Sequence, residues 1–279
     1  MTLHPVAAQG GAAEGRPQQN CGIGMSFKDH FSKQAADYAR FRPCYPREMF
    51  EYLGRIAPSR ALAWDCATGN GQAAVGLAAV FERVIATDAS EKQIANAEPH
   101  ERVEYRVAPA EESGLESGTI DLIMVAQALH WFDLPRFYKE ALRVLKNNGV
   151  LAASAYKFFH ITPAIDEVVN HRYYEEVVGA FWPPERMLVE KFEELQFPFA
   201  EIETPSFEMI AQWHLEHLVG YLRSWSATQR FIAANERDPL KEIDDNLRDA
   251  WGDAEQTRKV VWPLILRVGV NEMPEPPKE

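Results

Sequence analysis

Short apolar segments alternate with helical segments between residues 61 and 156, and this alternation restricts the fold more than any other feature of the sequence. Strands that are joined through helices run parallel, with right-handed crossovers between them. Near-continuous apolar composition is typical of strands that helices cover on both faces. The sequence therefore predicts an α/β fold with a mostly parallel sheet, whose strands are Ala61–Trp64, Val84–Thr87, Val103–Val107, Ile120–Ala126 and Val150–Tyr156.

The segments between these strands carry helix signals. An alanine-rich helix is expected after the first strand and to end near Phe81. Ser90 can cap a helix over Glu91–Ala97, because its hydroxyl can accept a backbone N–H of the first turn. A further helix is expected to run from Pro135 through Leu145, with Asn148-Gly149 closing it.

Beyond Tyr156 the regular alternation ends, and the remaining residues are expected to extend the same sheet rather than to form a second domain. Pro263 predicts a bulge or an edge position in the last strand, because proline cannot donate to a strand ladder. The predicted elements are helical segments over 158–195, 214–225 and 239–251, an extended segment over 197–210 and a last strand over Val260–Val270.

Charge and composition exclude several classes of protein. The 279 residues carry a formal net charge of −12, whereas binding to nucleic acid or anionic lipid needs clustered Lys and Arg. No segment reaches about 18 consecutive apolar residues, so no membrane span is expected. Cys21, Cys44 and Cys66 show no C-x-x-C spacing. This argues against a disulfide framework or a cysteine-based zinc site and favours a reducing cytoplasm.

The most informative stretch runs from Asp65 to Gly71, where a strand ends in a glycine-containing turn before a helix. Glycines let a ligand approach the backbone, as nucleotide-like cofactors require. Residues Gly69–Ala74 also satisfy the G-x-G-x-x-A pattern of dinucleotide-binding proteins. Asp88, 17 residues after Gly71, suits the ribose hydroxyls of either kind of cofactor. The stretch alone leaves both kinds open.

Residues at the ends of three predicted strands distinguish these alternatives. The Asp65 carboxylate would repel a pyrophosphate but attract an ammonium or sulfonium cation. Ala110-Glu111 follows the third strand, where a backbone N–H and a carboxylate can bind an adenine edge. Gln127 and the run Leu129–Phe132 end the fourth strand, which brings polar and aromatic groups to the mouth of the site.

Together these motifs resemble the class I S-adenosylmethionine-dependent methyltransferases, and most closely their trans-aconitate methyltransferase-like branch with a methyltransferase type 11 domain. The resemblance covers residues 26–270 and implies a Rossmann-like fold: a seven-stranded, mostly parallel sheet with helices on both faces and added C-terminal helices. Ala67 departs from the family, where this position is mostly glycine, and a methyl group fits only if this backbone is not left-handed. Other stretches that carry the resemblance are Tyr38–Pro46, Trp182–Arg186, Tyr221–Ser226 and Trp262–Leu264.

The resemblance also implies a site for S-adenosylmethionine, without a metal. Asp65 would face the ammonium of its methionyl group, and the Gln127 carbonyl would help to hold that ammonium. Asp88 would accept both ribose hydroxyls, and Arg42 would pair with the cofactor carboxylate, where a planar guanidinium fits well. The other implied cofactor-binding residues are Tyr38, Ala67, the backbone of Gly69 and Gly71, and Ala110 and Glu111 at the adenine.

Structural roles stay open for several of these residues. Asp88 can be a loop or capping residue, Arg42 a surface residue and Tyr38 a packing residue of the N-terminal lid. His130 is a candidate catalytic base, because imidazole titrates near neutral pH. A neutral, structural histidine beside Trp131 is at least as good an interpretation.

Aromatic residues in the second half of the chain are expected to contribute to the acceptor pocket, although most belong to the core. The predicted pocket residues are His130, Trp131, Phe158, Trp182 and Trp225. His214 and His217 lie three residues apart without an obvious third ligand, so they do not predict a metal site.

The chain is expected to contain one catalytic domain. Residues 1–24 are predicted to be a disordered leader, which makes Met25 a candidate for the true start, and residues 272–279 a frayed tail. The methyltransferase domain, 25–271, would comprise N-terminal lid helices (25–57), the cofactor-binding core (58–157) and the acceptor-pocket helices with the last strands (158–271).

The sequence thus predicts a cytoplasmic methyltransferase, monomeric or homodimeric, that acts on a small molecule and not on nucleic acid or membranes. An organic carboxylate as acceptor is suggested by the resemblance alone, and a carboxylate needs no base at neutral pH. Two alternatives remain: a non-catalytic S-adenosylmethionine-binding module and a nicotinamide-dependent dehydrogenase.

Overall fold

The computed structural model describes residues 43–184 and 189–272. The predicted leader, Tyr38 and Arg42 lie outside the described residues, as does nearly all of the predicted tail. Of the predicted lid, the described part begins at Pro43 and includes the helix α1, Arg47–Ile56.

A central sheet organises the described residues. The strands β1 to β5 run parallel in the spatial order β3-β2-β1-β4-β5, and β8 then pairs antiparallel with β5. Their bounds are Leu62–Cys66 (β1), Arg83–Asp88 (β2), Val103–Val107 (β3), Ile120–Ala126 (β4), Leu145–Tyr156 (β5) and Arg258–Val270 (β8). This arrangement confirms the predicted Rossmann-like, mostly parallel sheet.

The outer edge beyond β8 is formed by two short strands, β6 (Ala200–Ile202) and β7 (Phe207–Trp213). β6 pairs with the end of β8, and β7 pairs with its beginning. They therefore act as one interrupted edge strand, and the path through the sheet has seven strands, as predicted.

Helices cover both faces of this sheet. On one face α1 packs through Met49 and Leu53 beside Ala63 of β1, and on the other face Phe137 packs beside Trp64. Neighbouring residues of β1 thus belong to two separate cores, which is why the strand is apolar on both sides. The other α-helices described are α2 (Gln72–Ala78), α3 (Glu91–Ala95), α4 (Leu134–Val144), α5 (Pro163–Asp166), α6 (Leu215–Arg223), α7 (Ser226–Asn235) and α8 (Asp244–Trp251).

The prediction that Asn148-Gly149 closes the helix beginning near Pro135 is wrong. That helix ends at Val144, and β5 begins at the next residue. The register between β4 and β5 shifts after Leu145, and Asn148 has a left-handed backbone with φ 59°. The Asn-Gly pair therefore forms an irregularity within β5. The residue after β8 stabilises it, because Asn148 N donates to Asn271 O at 3.0 Å.

The segment predicted as helical over 158–195 is more varied than expected. After α5 the chain continues as an 11-residue π-helix, Glu167–Val177, and then as a 3-10 turn, Gly179–Phe181. The prediction missed α7, whose first turn has no side-chain cap because Trp225 occupies the N-cap position. A helix without a capping residue leaves little local signal in a sequence.

Pro263 lies opposite a bulge, which is one of the two positions predicted for it. The β5–β8 register ends at Tyr156–Leu264, and pairing resumes at His160–Val261 with one extra residue on the β5 side. The alternative, an edge strand, is wrong because β8 has neighbours on both sides. Because pairing with β5 is interrupted at this point, the ladder does not need the backbone N–H that proline lacks.

Asp121 links β1 and β4 at the amino-terminal end of the sheet. Its fully buried carboxylate accepts from Leu62 N at 2.9 Å and from Lys146 Nζ at 2.7 Å. Burial alone would raise the pKa of Asp121, but the Lys146 ammonium and the hydrogen bonds outweigh burial and lower it.

Asp121→Asn is expected to lower the free energy of unfolding at pH 7 by about 1–3 kcal/mol, because a buried ionic hydrogen-bond network loses its charge. The difference from wild type should shrink as the pH falls through the lowered pKa of Asp121, where the wild-type carboxyl also becomes neutral. Urea denaturation measures both effects. Asp245→Asn, at an exposed position, is the control and should change stability by less than about 0.5 kcal/mol. Equal losses in the two variants would contradict the prediction.

Candidate functional site

The carboxyl ends of the parallel strands meet at one edge of the sheet, and the predicted site residues of the described part follow these ends. Asp65 is the second-last residue of β1 and is fully buried. Its Oδ2 accepts a hydrogen bond from Thr68 Oγ1 at 2.5 Å. Its other oxygen, Oδ1, is buried and has no hydrogen-bond partner among the described residues. A buried carboxylate oxygen without a partner is costly and marks a place for a ligand or an ordered water.

Burial raises the pKa of Asp65 to about 7, against the opposing effect of its hydrogen bonds from Thr68 and Ala74 N. The Asp88 carboxylate raises it further, to a smaller extent. The cause is desolvation of the charged form in a site where the described residues supply no neutralising cation. A cationic ligand group would remove this penalty.

The loop after β1 is left-handed at three residues: Ala67 (φ 58°), Gly69 (φ 56°) and Gly71 (φ 88°). The condition attached to Ala67 in the sequence analysis is therefore not met, because its methyl group lies on a left-handed backbone. Such a conformation costs an L-residue about 1–2 kcal/mol. The surrounding loop imposes it, since Thr68 N donates to Thr87 O at 2.9 Å and Gly71 N to Thr68 O at 3.0 Å.

Gly71 is required by its surroundings as well as by its backbone. A Cβ at this position would lie 2.4 Å from Tyr105 Oη. Tyr105, on β3, donates its hydroxyl hydrogen to Glu98 O at 2.7 Å, and burial raises its pKa to about 12. No pattern in the sequence indicates that Tyr105 borders the glycine loop, because the contact joins β3 to the loop after β1, which are distant in the chain and separated by β2 in the sheet. By contrast, no atom of the described residues, apart from the two chain neighbours, lies within 4 Å of a Cβ built on Gly69, so the described part of the structure leaves the loop open on that side.

Asp88 joins the glycine loop to the end of β2. Its Oδ2 accepts from Gly69 N at 2.9 Å, and its Oδ1 accepts from Ser90 N at 2.9 Å. The structural role that the sequence left open is thus present in the fold. Each carboxylate oxygen has a second lone pair, so the same side chain can also accept from a diol.

Ala110 and Glu111 follow β3 in the position that the sequence predicted. Ala110 is buried, and Glu111 Oε1 accepts from Asp133 N at 2.9 Å, directly before α4. Asp133 in turn caps α4 through Arg136 N. Glu111 therefore connects the loop after β3 with the chain that follows β4.

Gln127 ends β4 with a left-handed backbone, φ 54°, unusual for a residue other than glycine. Its N donates to Ser154 O at 2.8 Å and its Nε2 to Tyr156 O at 3.0 Å, so β5 holds the side chain. Its Oε1 is buried without a hydrogen-bond partner among the described residues, and so is the hydroxyl of Ser154. Ser154 was missed by the sequence reasoning; a serine inside an apolar strand was the available signal.

His130 and Trp131 form a 3-10 turn, Leu129–Trp131, beside this edge. Their ring centroids are 5.0 Å apart, and 59% of Trp131 is exposed. The structure brings His130 to the predicted mouth of the site. Whether it acts as a base stays a prediction.

Phe158, Trp182 and Trp225 come together around Tyr174 of the π-helix, with ring centroids 4.7, 4.7 and 5.9 Å from that of Tyr174. We call these four residues the aromatic cluster. Tyr174 is buried and its hydroxyl donates to Glu190 Oε1 at 2.9 Å, whereas the other three are partly exposed. The sequence predicted these three but missed Tyr174, because only the π-helix places it between them.

Within residues 43–184 and 189–272, no group of three or more His, Cys, Asp and Glu residues is arranged to hold a metal ion.

Comparison with known proteins identifies the family. A protein-family model described as a methyltransferase domain matches residues 64–153. A Dictyostelium discoideum protein named as a methyltransferase is 36% identical over 239 residues, 84% of this chain and 91% of that protein. This chain belongs to the class I S-adenosylmethionine-dependent methyltransferases.

Two further relatives of this methyltransferase agree. The solved structure of a type II methyltransferase from Anaeromyxobacter dehalogenans is 44% identical, with a TM-score of 0.79, over 83% of this chain and 98% of that one. A Saccharomyces cerevisiae protein named as an S-adenosylmethionine-dependent methyltransferase is 27% identical over 139 residues, 47% of this chain and 46% of that protein. The dehydrogenase alternative is therefore wrong, and the glycine pattern it shared with this family explains why it arose.

Ala67→Gly is expected to stabilise the methyltransferase by about 0.5–1 kcal/mol, because glycine removes the left-handed strain at a smaller cost in unfolded-chain entropy. The same change in an ordinary helix should destabilise, so Ala233→Gly, exposed within α7, is the matched control. Urea denaturation of both variants measures the effect. A loss of stability in Ala67→Gly as large as in the control would show that Ala67 is not strained.

Asp65→Asn is expected to stabilise the ligand-free protein at pH 8 by on the order of 2–4 kcal/mol relative to wild type. The folded-state pKa of Asp65, about 7, lies above the ordinary value of 3.8 for an aspartate. The stability that its proton provides is thus complete below pH 4 and is lost as the pH rises to about 7. Denaturation curves of both proteins between pH 4 and pH 8 give this difference. A stability difference that does not change with pH would refute the assignment.

Proposed function

We propose that this methyltransferase acts on a small-molecule acceptor bound between the glycine loop and the aromatic cluster. The observation that carries the cofactor part of the proposal is the pair of buried, unpartnered oxygens, Asp65 Oδ1 and Gln127 Oε1, at the ends of the adjacent strands β1 and β4. Both are hydrogen-bond acceptors at the carboxyl edge of a parallel sheet, where such folds bind their ligands.

The donor set fits S-adenosylmethionine. Two acceptor oxygens, one of them on a carboxylate that no cation of the described residues neutralises, suit the ammonium of the methionyl group. The open space beside Gly69 leaves room for a ligand against the backbone. When bound, the cofactor supplies a methyl group on a positively charged sulfur that is already activated for in-line displacement.

Each residue then has a defined task in this proposal. Asp65 and Gln127 hold the ammonium, and Asp88 accepts the ribose hydroxyls while its bond to Gly69 N keeps the loop in place. Ala110 and Glu111 bind adenine. Ala67, Gly69 and Gly71 form the wall along the methionyl group, while Tyr38 and Arg42 complete the site from the N-terminal lid. The protein thus contributes alignment and exclusion of water rather than an obligatory catalytic side chain.

The acceptor end is proposed to comprise His130, Trp131 and the aromatic cluster. An organic carboxylate, as in the trans-aconitate methyltransferase-like branch, is the first candidate, because it is deprotonated at neutral pH and needs no base. For a hydroxyl or amine acceptor, His130 would remove the proton.

Composition supports the choice of partner. A net charge of −12 disfavours nucleic acid as substrate. None of the helices in the described ranges is both long and apolar enough to cross a membrane. A cytoplasmic monomer or homodimer is the arrangement we propose.

Asp88→Ala is expected to weaken S-adenosylmethionine binding by about tenfold to a hundredfold, because ionic hydrogen bonds to the ribose are lost. Isothermal titration calorimetry measures this. Ser90→Ala, which removes the α3 cap but no proposed ligand contact, is the control and should bind normally. Unchanged affinity in Asp88→Ala would refute the ribose assignment.

The activity itself is tested by measuring S-adenosylhomocysteine production with a panel of organic carboxylates, phenols and amines. Turnover that depends on one acceptor, and that Asp88→Ala reduces at limiting cofactor, supports the proposal. Tight cofactor binding with no turnover on any member of the panel would favour the non-catalytic alternative.

A further inference from the structure

The loop after β3 is held on α4 by one buried carboxylate. Glu140, 8% exposed, accepts from Ser113 N at 2.9 Å and from Ser113 Oγ at 2.5 Å. It also accepts from Arg143 Nε at 2.8 Å and from Arg143 Nη2 at 2.7 Å. Four hydrogen bonds to one carboxylate, two of them from a planar guanidinium, fix both the carboxylate and the loop.

The same contacts continue along the loop. Arg143 Nη1 donates to Ser117 Oγ at 3.0 Å, and Gly118 N donates to Arg143 O at 3.0 Å. Ser113 Oγ accepts from Leu115 N at 3.2 Å, which closes a turn at the point of attachment. Residues 113–118 are therefore fastened to the middle and end of α4.

The other end of this loop is fastened to the beginning of α4. Glu111 accepts from Asp133 N, and Ala108 N donates to Asp88 O at 3.1 Å. Ala110-Glu111, the proposed adenine-binding pair, thus lies between an attachment to β2 and the Ser113–Glu140 attachment, two residues away. A displacement at Ser113 would move the pair directly.

The charge of Glu140 is maintained throughout the physiological range. The hydrogen bonds from Arg143 and then from Ser113 outweigh its burial and lower its pKa to about 2. Burial raises the pKa of the Cys66 thiol, and the carboxylates of Asp65, Glu111, Asp88 and, least of all, Glu140 raise it further. An ion pair this persistent, at this place, is suited to hold a binding loop rigidly.

We propose that Glu140 is a positioning residue for adenine recognition: through Ser113 it sets the place of Ala110 and Glu111 and so determines how well the site distinguishes adenine from other bases. The inference depends on the proposed adenine role of these two residues. Glu140 is bonded to Ser113 and Arg143 and is not one of the residues proposed to contact the cofactor.

The test compares calorimetric binding of S-adenosylhomocysteine with that of S-inosylhomocysteine, in which an oxo group replaces the adenine amino group. Wild type should prefer the adenine ligand. Glu140→Gln should weaken S-adenosylhomocysteine binding by about tenfold and change binding of the inosine analogue by less than about twofold, so the preference collapses. A merely structural role would weaken both ligands equally.

Asp121→Asn is the matched control, because it breaks another buried carboxylate–cation network that joins the loops and strands at the opposite, amino-terminal end of the sheet. It should lower stability and leave the ratio of the two affinities unchanged. If Glu140→Gln does not fold, as circular dichroism would show, Ser113→Ala replaces it. This change removes the two hydrogen bonds of the hydroxyl, with Glu140 and Leu115 N, and keeps the bond from Ser113 N to Glu140.

The outcomes separate the two proposals. Wild type that binds neither ligand would overturn the proposed cofactor. Wild type that binds both equally, or a Glu140→Gln or Ser113→Ala variant that keeps the wild-type preference, would overturn the positioning role while leaving the cofactor assignment intact.

Discussion

The way the chain leaves β1 is the constraint on which the rest of the site depends. β1 lies at the centre of the parallel part of the sheet, between β2 and β4, so its exit cannot move sideways. The loop solves this with three left-handed residues, and two contacts to β2 hold it there: Thr68 N to Thr87 O and Gly69 N to Asp88. Asp88, which is proposed to bind the ribose, thus also supports the loop. The structural and the ligand-binding interpretation of Asp88 are therefore compatible.

Two carboxylates near this edge show how environment sets the task of a residue. Glu140 has Arg143 beside it and four hydrogen bonds, and its pKa falls to about 2. Asp65 is more deeply buried and has no such cation in the described part of the chain, and its pKa rises to about 7. The first carboxylate is satisfied by the protein and serves the scaffold. The second is left in need of a positive partner, which a methionyl ammonium can supply.

Much of the cofactor side of the molecule could be predicted from the sequence, because its signals are local. The bounds of β3 and β4 agree to the residue with the predicted strands. For β4 the signal is a largely apolar run that is followed by the polar Gln127. Asp65, Asp88, Ala110-Glu111 and Gln127 follow the strand ends where they were expected. The exception is Ala67, whose left-handed backbone is imposed by hydrogen bonds to β2 that no local pattern encodes.

The proposed acceptor side could be predicted less well from the sequence, for a physical reason. The π-helix is stabilised by contacts across the fold, such as the 2.8 Å hydrogen bond between the hydroxyls of Tyr173 and Thr228. Thr228 lies on α7, the helix that the sequence also failed to indicate. Both elements depend on each other rather than on capping residues or a clear apolar face, so neither can be recognised alone. The composition shows that the chain has many aromatic residues, but it does not show which of their rings are in contact.

The π-helix has a consequence for how this part of the chain can change. Because each N–H of a π-helix bonds five residues back rather than four, the segment Glu167–Val177 holds more chain than an α-helix of the same length. Loss of a single codon there can be absorbed by a return to α-helical winding, without damage to the sheet. The side chains of Tyr173 and Tyr174 would then change direction and lose their present contacts. Deletion of a residue in this segment, more than substitution, is therefore expected to change which aromatic side chains meet while the sheet stays the same.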